Sequence, residues 1–320
     1  MMNNSLEEII GKLKEAQRIA VFCHARPDGD ALGSGLALTL ALEAAGKTAY
    51  MCCEDVPPEK FSFLPAMKKV LQEVPDIDYD LLVSVDCADV TRTGVFAKRY
   101  STFKKTTINI DHHVSNVGYA KLNYVDVCPA SCEIMTKLLI NGGFEITVEI
   151  ANLLMTGLVT DSGNFVHQDV TENTFGTAAY LRAKGADVNT IYYNLYGRQP
   201  KARAILYGRV MSRMRFELDD KIAYIVIPEK DMTELGADKS LTEGFVDFPL
   251  TVDGVEVAIS LLECKKGQYK ASLRSKGRVN VNAVATAFGG GGHVLASGCM
   301  LFGALEEVIE RLNYAVYQNL

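Results

Sequence analysis

Four apolar runs in the first half of the chain, RIAVFCH, TAYMCC, DLLVSVD and TTINIDHH, lead into polar or glycine-containing turns and alternate with helical patterns. Buried strands separated by helices fold as a mainly parallel sheet with helices against it. Ligands of such sheets sit at the carboxyl ends of the strands. Those ends carry His24, Asp86 and the stretch from Asp111 to His113.

The helical patterns are equally legible. ALGSGLALTLALEAAG follows Asp30 and stops at Gly46, and SCEIMTKLLINGG ends in the same way. TVEIANLLMTGLVTDSGNF reads as a helix running into a loop that carries Asp161, and helices follow through AAYLRAKG and VNTIYYNLYG. From about residue 216 the texture changes to alternating strands in KIAYIVIP, VEVAISLLECKKG and QYKASLRSKG, then the helix VNAVATAFGG, a glycine loop and a final helix, LEEVIERLNYAVYQ. The expected fold is therefore α/β: a mainly parallel-sheet domain over residues 1–190, a bridging helix or linker over 191–215, and a smaller α+β domain over 216–320. A chain of 320 residues is long enough for two such cores.

Composition excludes several classes. No apolar stretch reaches membrane-spanning length, and MMNNSLEEIIGKLKEAQ reads as an amphipathic helix without the basic and apolar regions of a secretory leader, so the cytoplasm is the expected compartment. Eight dispersed cysteines without a C-x-x-C agree with a reducing environment, with Cys128 and Cys132 as packing residues. A net charge of −6 argues against coating long duplex nucleic acid, which requires many neutralised phosphates.

The chemistry lies in dispersed acids and histidines. HARPDGD offers His24, Asp28 and Asp30, with Pro27 and Gly29 shaping a turn that could aim the two carboxylates differently. Asp86 ends an apolar strand, where an unpaired carboxylate is costly to bury. Asp89 fits a capping or supporting role, and Asp161 is a fourth dispersed acid. Imidazole with carboxylates suits a borderline-hard divalent cation, Mn²⁺ first and Mg²⁺, Co²⁺ or Fe²⁺ as competitors. The chain has only five histidines, yet His112 and His113 stand side by side. Successive side chains of an extended segment point different ways, so one ring can hold metal while the other reaches substrate, with Asp111 orienting an imidazole.

HARPDGDA, VDCAD, DHHVSN and VTDSGNF, in this order, resemble the motifs of the DHH phosphoesterases, and the resemblance covers nearly the whole chain. It implies two divalent cations, most often Mn²⁺, one held by His24, Asp28, Asp86 and Asp161 and the other by Asp30, Asp86, His112 and Asp161. His113 matches the family's substrate-phosphate histidine, with Asp111 grouped beside it as catalytic. LRSKGRVNVNAVATAFGGGGHVLASG is similar to the domain that follows the catalytic one in a DHH subfamily, which implies substrate contacts from Arg274, Ser275, Gly290, Gly291, Gly292, His293, Ser297 and Gly298 and an active site in the interdomain cleft. Glycines Gly289 to Gly292 let backbone N–H groups approach an oxyanion.

Length and layout most resemble the NrnA-type subfamily, whose substrates are short RNA oligonucleotides and 3'-phosphoadenosine 5'-phosphate (pAp). The RecJ-type exonucleases carry further parts for which this chain has little room, and the second-domain signature of family II pyrophosphatases is missing. Two stretches, Arg198 to Arg215 and Lys265 to Arg278, contain Lys and Arg but no acid, in keeping with a small phosphorylated ligand. His167 has no assigned role, and tyrosines 192, 193 and 196 could stack on a base but read first as helical packing residues. Hydrolysis of cyclic di-AMP or pApA is the alternative activity, and a catalytically inactive nucleotide-binding module is a third reading. The sequence leaves open whether the chain acts alone or as a homodimer.

Overall fold

Ser5 opens the first helix: its side chain accepts the Glu8 N–H, and acids in the first turn with lysines in the last match the helix dipole. The resulting α1 (Leu6–Glu15) buries Leu6, Ile9, Ile10 and Leu13. The computed structural model describes residues 3–320 and divides into two units, Met1–Arg198 and Gln199–Leu320.

The first unit continues with β1 (Arg18–Phe22), α2 (Gly29–Ala44), β2 (Thr48–Cys52), β3 (Val70–Leu71), β4 (Leu81–Val85), α3 (Ala97–Thr102), β5 (Thr106–Asp111), β6 (Leu122–Val125), α4 (Ser131–Gly142), α5 (Val148–Asp161), α6 (Glu172–Ala183) and α7 (Val188–Tyr192). Its six strands are all parallel, in the order β3-β2-β1-β4-β5-β6. The chain winds outward from β1 on one side and from β4 on the other, so the strand order reverses between them. A crevice at such a switch point is where α/β sheets bind ligands, and the two following loops hold His24 and Asp86.

Residues of β4 are buried throughout, as expected of a strand covered on both faces. Ile19, Val21, Leu36, Val83, Ile110, Leu138, Leu154 and Leu158 belong to one core, each such side chain contributing about 1.5–3 kcal/mol by leaving water. Glycine permits the close approach of α2 to α5: a Cβ on Gly33 would lie 2.5 Å from the Leu153 carbonyl oxygen. Two strands escape sequence reading. β3 has two residues at an edge, and β6, LNYV, is short and mixes Asn and Tyr with its apolar residues.

The second unit comprises α8 (Lys201–Met211), β7 (Arg215–Glu217), β8 (Ile222–Ile227), α9 (Glu229–Glu234), β9 (Val257–Lys265), β10 (Gln268–Ser275), α10 (Val281–Thr286), β11 (Gly291–His293), β12 (Ala296–Phe302) and α11 (Leu305–Tyr317). Its sheet runs β11-β12-β10-β9-β8-β7, antiparallel except for the β8–β9 pair. Tyr269, Ala271 and Leu273 of β10 pack with Val284 of α10 and Leu312 of α11 in one core, while Lys270, Ser272 and Arg274 face the other way. The glycine run expected as a loop extends into β11, and the β12 strand beyond it was not foreseen. Among the described residues no helix is long and apolar enough to cross a membrane.

Candidate active site

The chemistry-bearing residues of the first unit converge because each stands at the end of an element. His24 follows β1, and Asp28 caps α2 by accepting the N–H groups of Asp30 and Ala31. Asp86 follows β4 directly with φ +52, a left-handed conformation that Asp tolerates better than most residues. Asp111 is the last residue of β5, with His112 and His113 beyond it. Asp161 is the last residue of α5, not part of the following loop as the sequence implied.

The geometry forms three overlapping donor sets, joined through Asp86 and His112. His24 Nε2 lies 3.5 Å from Asp28 Oδ2 and 3.4 Å from Asp86 Oδ2. His112 Nε2 lies 3.3 Å from Asp86 Oδ1 and 3.6 Å from Asp161 Oδ2. Ligand atoms of His24, Asp28 and Asp86, and those of Asp30, His112 and Asp161, fall within 4.8 Å of one another. Asp86 thus turns one oxygen toward each imidazole. Asp161 groups with Asp30 and His112, and a third set joins Asp86 with His112 and His113.

The imidazoles are held from behind. His24 Nδ1 is 2.8 Å from the Ala25 carbonyl and His112 Nδ1 is 2.9 Å from the Cys128 carbonyl. A carbonyl only accepts, so each Nδ1 carries hydrogen and each Nε2 faces the carboxylates. Both Nε2 atoms are buried and make no hydrogen bond. Their alignment fails for a proton and suits a shared cation, and the N/O donor set fits a divalent metal.

Electrostatics express the same demand for positive charge. Burial would lower the pKa of His24, but Asp28 and Asp86 outweigh it and push the ring to about 10. His112 also rises to about 10, its burial overcome by Asp86 and Asp30. Burial and then the Asp86 charge raise Asp30 to about 7, and burial with the charges of Asp30, Asp28 and Asp86 raises Asp161 to about 9. Asp86 goes the other way: burial opposes its charge, but His112 and His24 hold it below the usual carboxylate range. So many acids cannot all ionise in one buried space on the charge of two imidazoles, and bound cations invert that balance.

Sequence reading missed the support beneath Asp30. Its carboxylate accepts the Ser131 N–H at 2.5 Å and the Cys132 N–H at 2.8 Å, at the start of α4, where free N–H groups and the helix dipole favour an anion. Ser131 Oγ donates to Asp86 at 3.2 Å. Cys132 does pack in the core, yet its backbone is what holds the acid. The available signal was the helix start itself, SCEI, whose first N–H groups had no assigned acceptor.

His113 differs from its neighbour. Its Nδ1 bonds Asp111 Oδ1 at 2.8 Å, and Asp111 Oδ2 accepts from Asn116 Nδ2 at 2.5 Å. Asp111 is fully buried behind the ring, so it positions His113 rather than touching a ligand. Asn116, also unforeseen, continues to Asn109 at 2.7 Å. His167 bonds the Asp161 carbonyl at 2.8 Å. Tyr192, Tyr193 and Tyr196 are about half exposed, and the rings of Tyr192 and Tyr196 pack against each other at 5.5 Å beside the π turn Tyr193–Gly197.

In the second unit, strand parity divides the expected substrate residues. The register aligns Ser260, Ser272, Gly298 and Gly291 in one row and Ala258, Arg274, Ala296 and His293 in the next. Arg274, Gly291, His293 and Gly298 therefore share the outward face of the sheet. Ser275 and Ser297 are buried on the other: Ser275 Oγ accepts the Gly277 N–H at 3.0 Å and Ser297 Oγ donates to the His293 carbonyl at 2.7 Å. Arg274 Nε bonds Asp247 at 3.1 Å, so a phosphate there would share or displace that acid.

The glycines of the run also separate. Gly289 and Gly292 have φ of +73 and +148, and a Cβ on Gly290 would lie 2.2 Å from the Gly298 carbonyl oxygen. Gly291 has neither constraint, its nearest neighbour being Asn282 Oδ1 at 3.9 Å.

Comparison with known proteins agrees with this layout. Residues 18–158 match the model of the DHH family, N-terminal domain, and residues 208–318 that of the DHHA1 domain. The bifunctional oligoribonuclease and PAP phosphatase NrnA of Thermus thermophilus is 34% identical, over 94% of this chain and 90% of that protein. The cyclic-di-AMP phosphodiesterase GdpP of Bacillus subtilis is 25% identical over 99% of this chain but only 49% of its own length. The crystal structure of an exopolyphosphatase-related protein from Bacteroides fragilis superposes with a TM-score of 0.86 at 27% identity, covering 98% of this chain and 95% of that one. The chain belongs to the DHH family of phosphoesterases and carries the DHHA1 domain in its C-terminal part.

Proposed function

We propose that this phosphoesterase hydrolyses short RNA oligonucleotides to mononucleotides and pAp to AMP and phosphate, using two divalent cations with Mn²⁺ as the best match to the donor set. The carrying observation is the pair of buried Nε2 atoms of His24 and His112 that address opposite oxygens of Asp86 without a hydrogen bond. His24, Asp28, Asp86 and Asp161 would hold one cation, and Asp30, Asp86, His112 and Asp161 the other. Bound there, the cations would polarise the phosphoryl oxygens and acidify a water.

The chain's own residues do the rest. The carbonyls behind His24 and His112 keep both rings in one tautomer, so neither needs to reorganise when the site fills. His113 is about a third exposed and held by Asp111, poised to steady the phosphoryl charge or pass a proton to the leaving oxygen. Arg274, His293 and Gly291 would bind the remainder of the nucleotide, with Gly290, Gly292, Gly298, Ser275 and Ser297 shaping the backbone around them. The outward row of small residues and the relationship to the Thermus thermophilus NrnA support this reading.

Hydrolysis of cyclic di-AMP or pApA is the second reading, favoured by the partial match to GdpP. An inactive module is disfavoured because all six implied metal ligands are present and clustered. The test measures Mn²⁺-dependent product release from pAp, a labelled RNA dinucleotide, pApA and cyclic di-AMP, with wild type and the double variant His112→Ala, His113→Ala. Turnover of pAp and the dinucleotide, absent in the variant, is the expected result. Turnover confined to cyclic di-AMP or pApA transfers the assignment to the second reading, and none at all favours the inactive module.

A further inference from the structure

Three of the six arginines of the first unit have a partner for their side chains, and among the described residues Arg198, at the end of the unit, has none. Arg18 pairs with Asp78 and Asp80 at 3.2 Å, Arg182 donates to the Ala186 carbonyl at 2.8 Å, and Arg99 lies over the Tyr79 ring. Arg26 and Arg92 are exposed, and among the described residues neither guanidinium has an ion-pair or hydrogen-bond partner. The acids around these two loops accept other hydrogen bonds, although Asp89 also feels the charge of Arg92. Asp28 caps α2, Asp55 accepts the backbone N–H of Arg26 at 2.7 Å, Glu54 accepts that of Val95, and Asp89 accepts from Thr91.

The two residues are built into adjoining loops. The Ala25 N–H donates to the Arg92 carbonyl at 2.7 Å, tying the loop after β1 to the loop after β4 at the switch point of the sheet. Arg26 lies between His24 and Asp28, with φ +54 immediately before Pro27. A long side chain in the left-handed region is uncommon and costs free energy, and such conformations cluster at functional sites. Here the Asp55 bond fixes it.

We infer that Arg26 and Arg92 form a binding site for the second, non-scissile phosphate of the substrate, which selects nucleotides bearing two phosphates over those bearing one. This rests on the hydrolase reading given above. A centre with this many carboxylates repels a polyanionic substrate, and two arginines on the loops that carry His24 and Asp86 offset that repulsion. Their planar donors match phosphate oxygens bidentately, as a lysine cannot.

The test compares pAp with adenosine 3'-phosphate, which lacks the non-scissile group, on wild type, Arg26→Ala, Arg92→Ala and Arg26→Lys. Steady-state kinetics with Mn²⁺ are read beside calorimetric binding of each nucleotide to the metal-free protein, and circular dichroism and Mn²⁺ affinity check the fold and the metal centre. Each alanine variant is expected to lose roughly 10- to 100-fold in kcat/KM for pAp, mostly in KM, and little for adenosine 3'-phosphate, as for one charge-assisted phosphate contact. Arg26→Lys should recover part of the loss. Equal losses on both nucleotides, no loss on pAp, or wild type binding pAp no more tightly than adenosine 3'-phosphate would overturn the inference. Tighter binding of pAp that depends on both arginines, without turnover of either nucleotide, would uphold this phosphate site and sink the hydrolase reading instead.

Discussion

His112 Nε2 stands 3.3 Å from Oδ1 of Asp86, while Oδ2 of the same carboxylate is 3.4 Å from His24 Nε2. One buried acid therefore links two imidazoles that share no other group. Asp86→Asn keeps the shape and suits the left-handed φ of +52, which Asn also tolerates, so the fold should survive. The amide carries no charge and cannot bridge two cations. Turnover should fall by about 10³-fold or more if the bridge is required for transition-state charge, and metal stoichiometry by mass spectrometry should drop below that of wild type. An Asp86→Asn variant with full occupancy and near-normal turnover would remove Asp86 from the bridging role.

The ionisation of the centre predicts how metal and pH act together. In the metal-free fold His24 and His112 hold protons to about 10 against an ordinary 6.5, and Asp30 and Asp161 to about 7 and about 9 against 3.8. Each raised group binds its proton more tightly folded than unfolded. Its contribution to stability is present below the unfolded value and is lost as pH rises through the folded one. Asp86, held below its ordinary value, contributes above the unfolded value and loses that contribution in acid. Between about pH 6 and about pH 9 the raised groups dominate, so metal-free protein should lose Tm across that window. A divalent cation replaces the protons, so the Tm gap between Mn²⁺-loaded and EDTA-treated protein should widen with pH. Differential scanning calorimetry across the window decides it, and a gap that stays constant or narrows would show that these carboxylates and imidazoles are not the metal's ligands.

How much of this was legible depends on whether the information is local. His24, Asp86 and His112 could be placed together because each follows an apolar strand, and parallel strands deliver their ends to one edge. The hold of Ser131 and Cys132 on Asp30 could not, since it joins residues about a hundred positions apart through backbone N–H groups that any residue type supplies. Arg274 and Ser275 are adjacent in sequence and looked like one binding pair. Strand parity sends them to opposite faces, and the strand that settles the register, β12, was not recognised because ASGCMLF begins with small residues.

Packing beneath the centre makes Gly157 a second control on metal affinity. A Cβ there would lie 2.3 Å from Cys132 Sγ and 2.8 Å from Asp30 Oδ1. Gly157→Ala must push α5 from α2 or turn the Asp30 carboxylate away, at about 1–3 kcal/mol for overpacking. Both lower Tm, and the second would also weaken binding of a cation by Asp30, His112 and Asp161. Gly176→Ala on α6 is the control: nothing lies within 4 Å of its Cβ, so it should gain up to about 1 kcal/mol from helix propensity with unchanged activity. Equal behaviour of the two variants in thermal melts and Mn²⁺ titration would mean that the close approach at Gly157 does not constrain Asp30.

The glycine run offers a way to separate folding from ligand approach within neighbouring residues. Gly290→Ala would drive a Cβ to 2.2 Å from the Gly298 carbonyl oxygen, against backbone that cannot swing aside, and should cost about 1–3 kcal/mol. At Gly291 a Cβ meets nothing nearer than 3.9 Å, so the fold gives no reason for glycine there. The remaining reason is a phosphate or sugar that must come close to the backbone of the outward face. Gly291→Ala should keep the wild-type Tm and raise KM for pAp several-fold, and Gly291→Val should raise it further. Calorimetry and kinetics on the three variants provide the check. A Gly291→Val protein with normal Tm and normal KM for every nucleotide tested would show that no substrate reaches this strand.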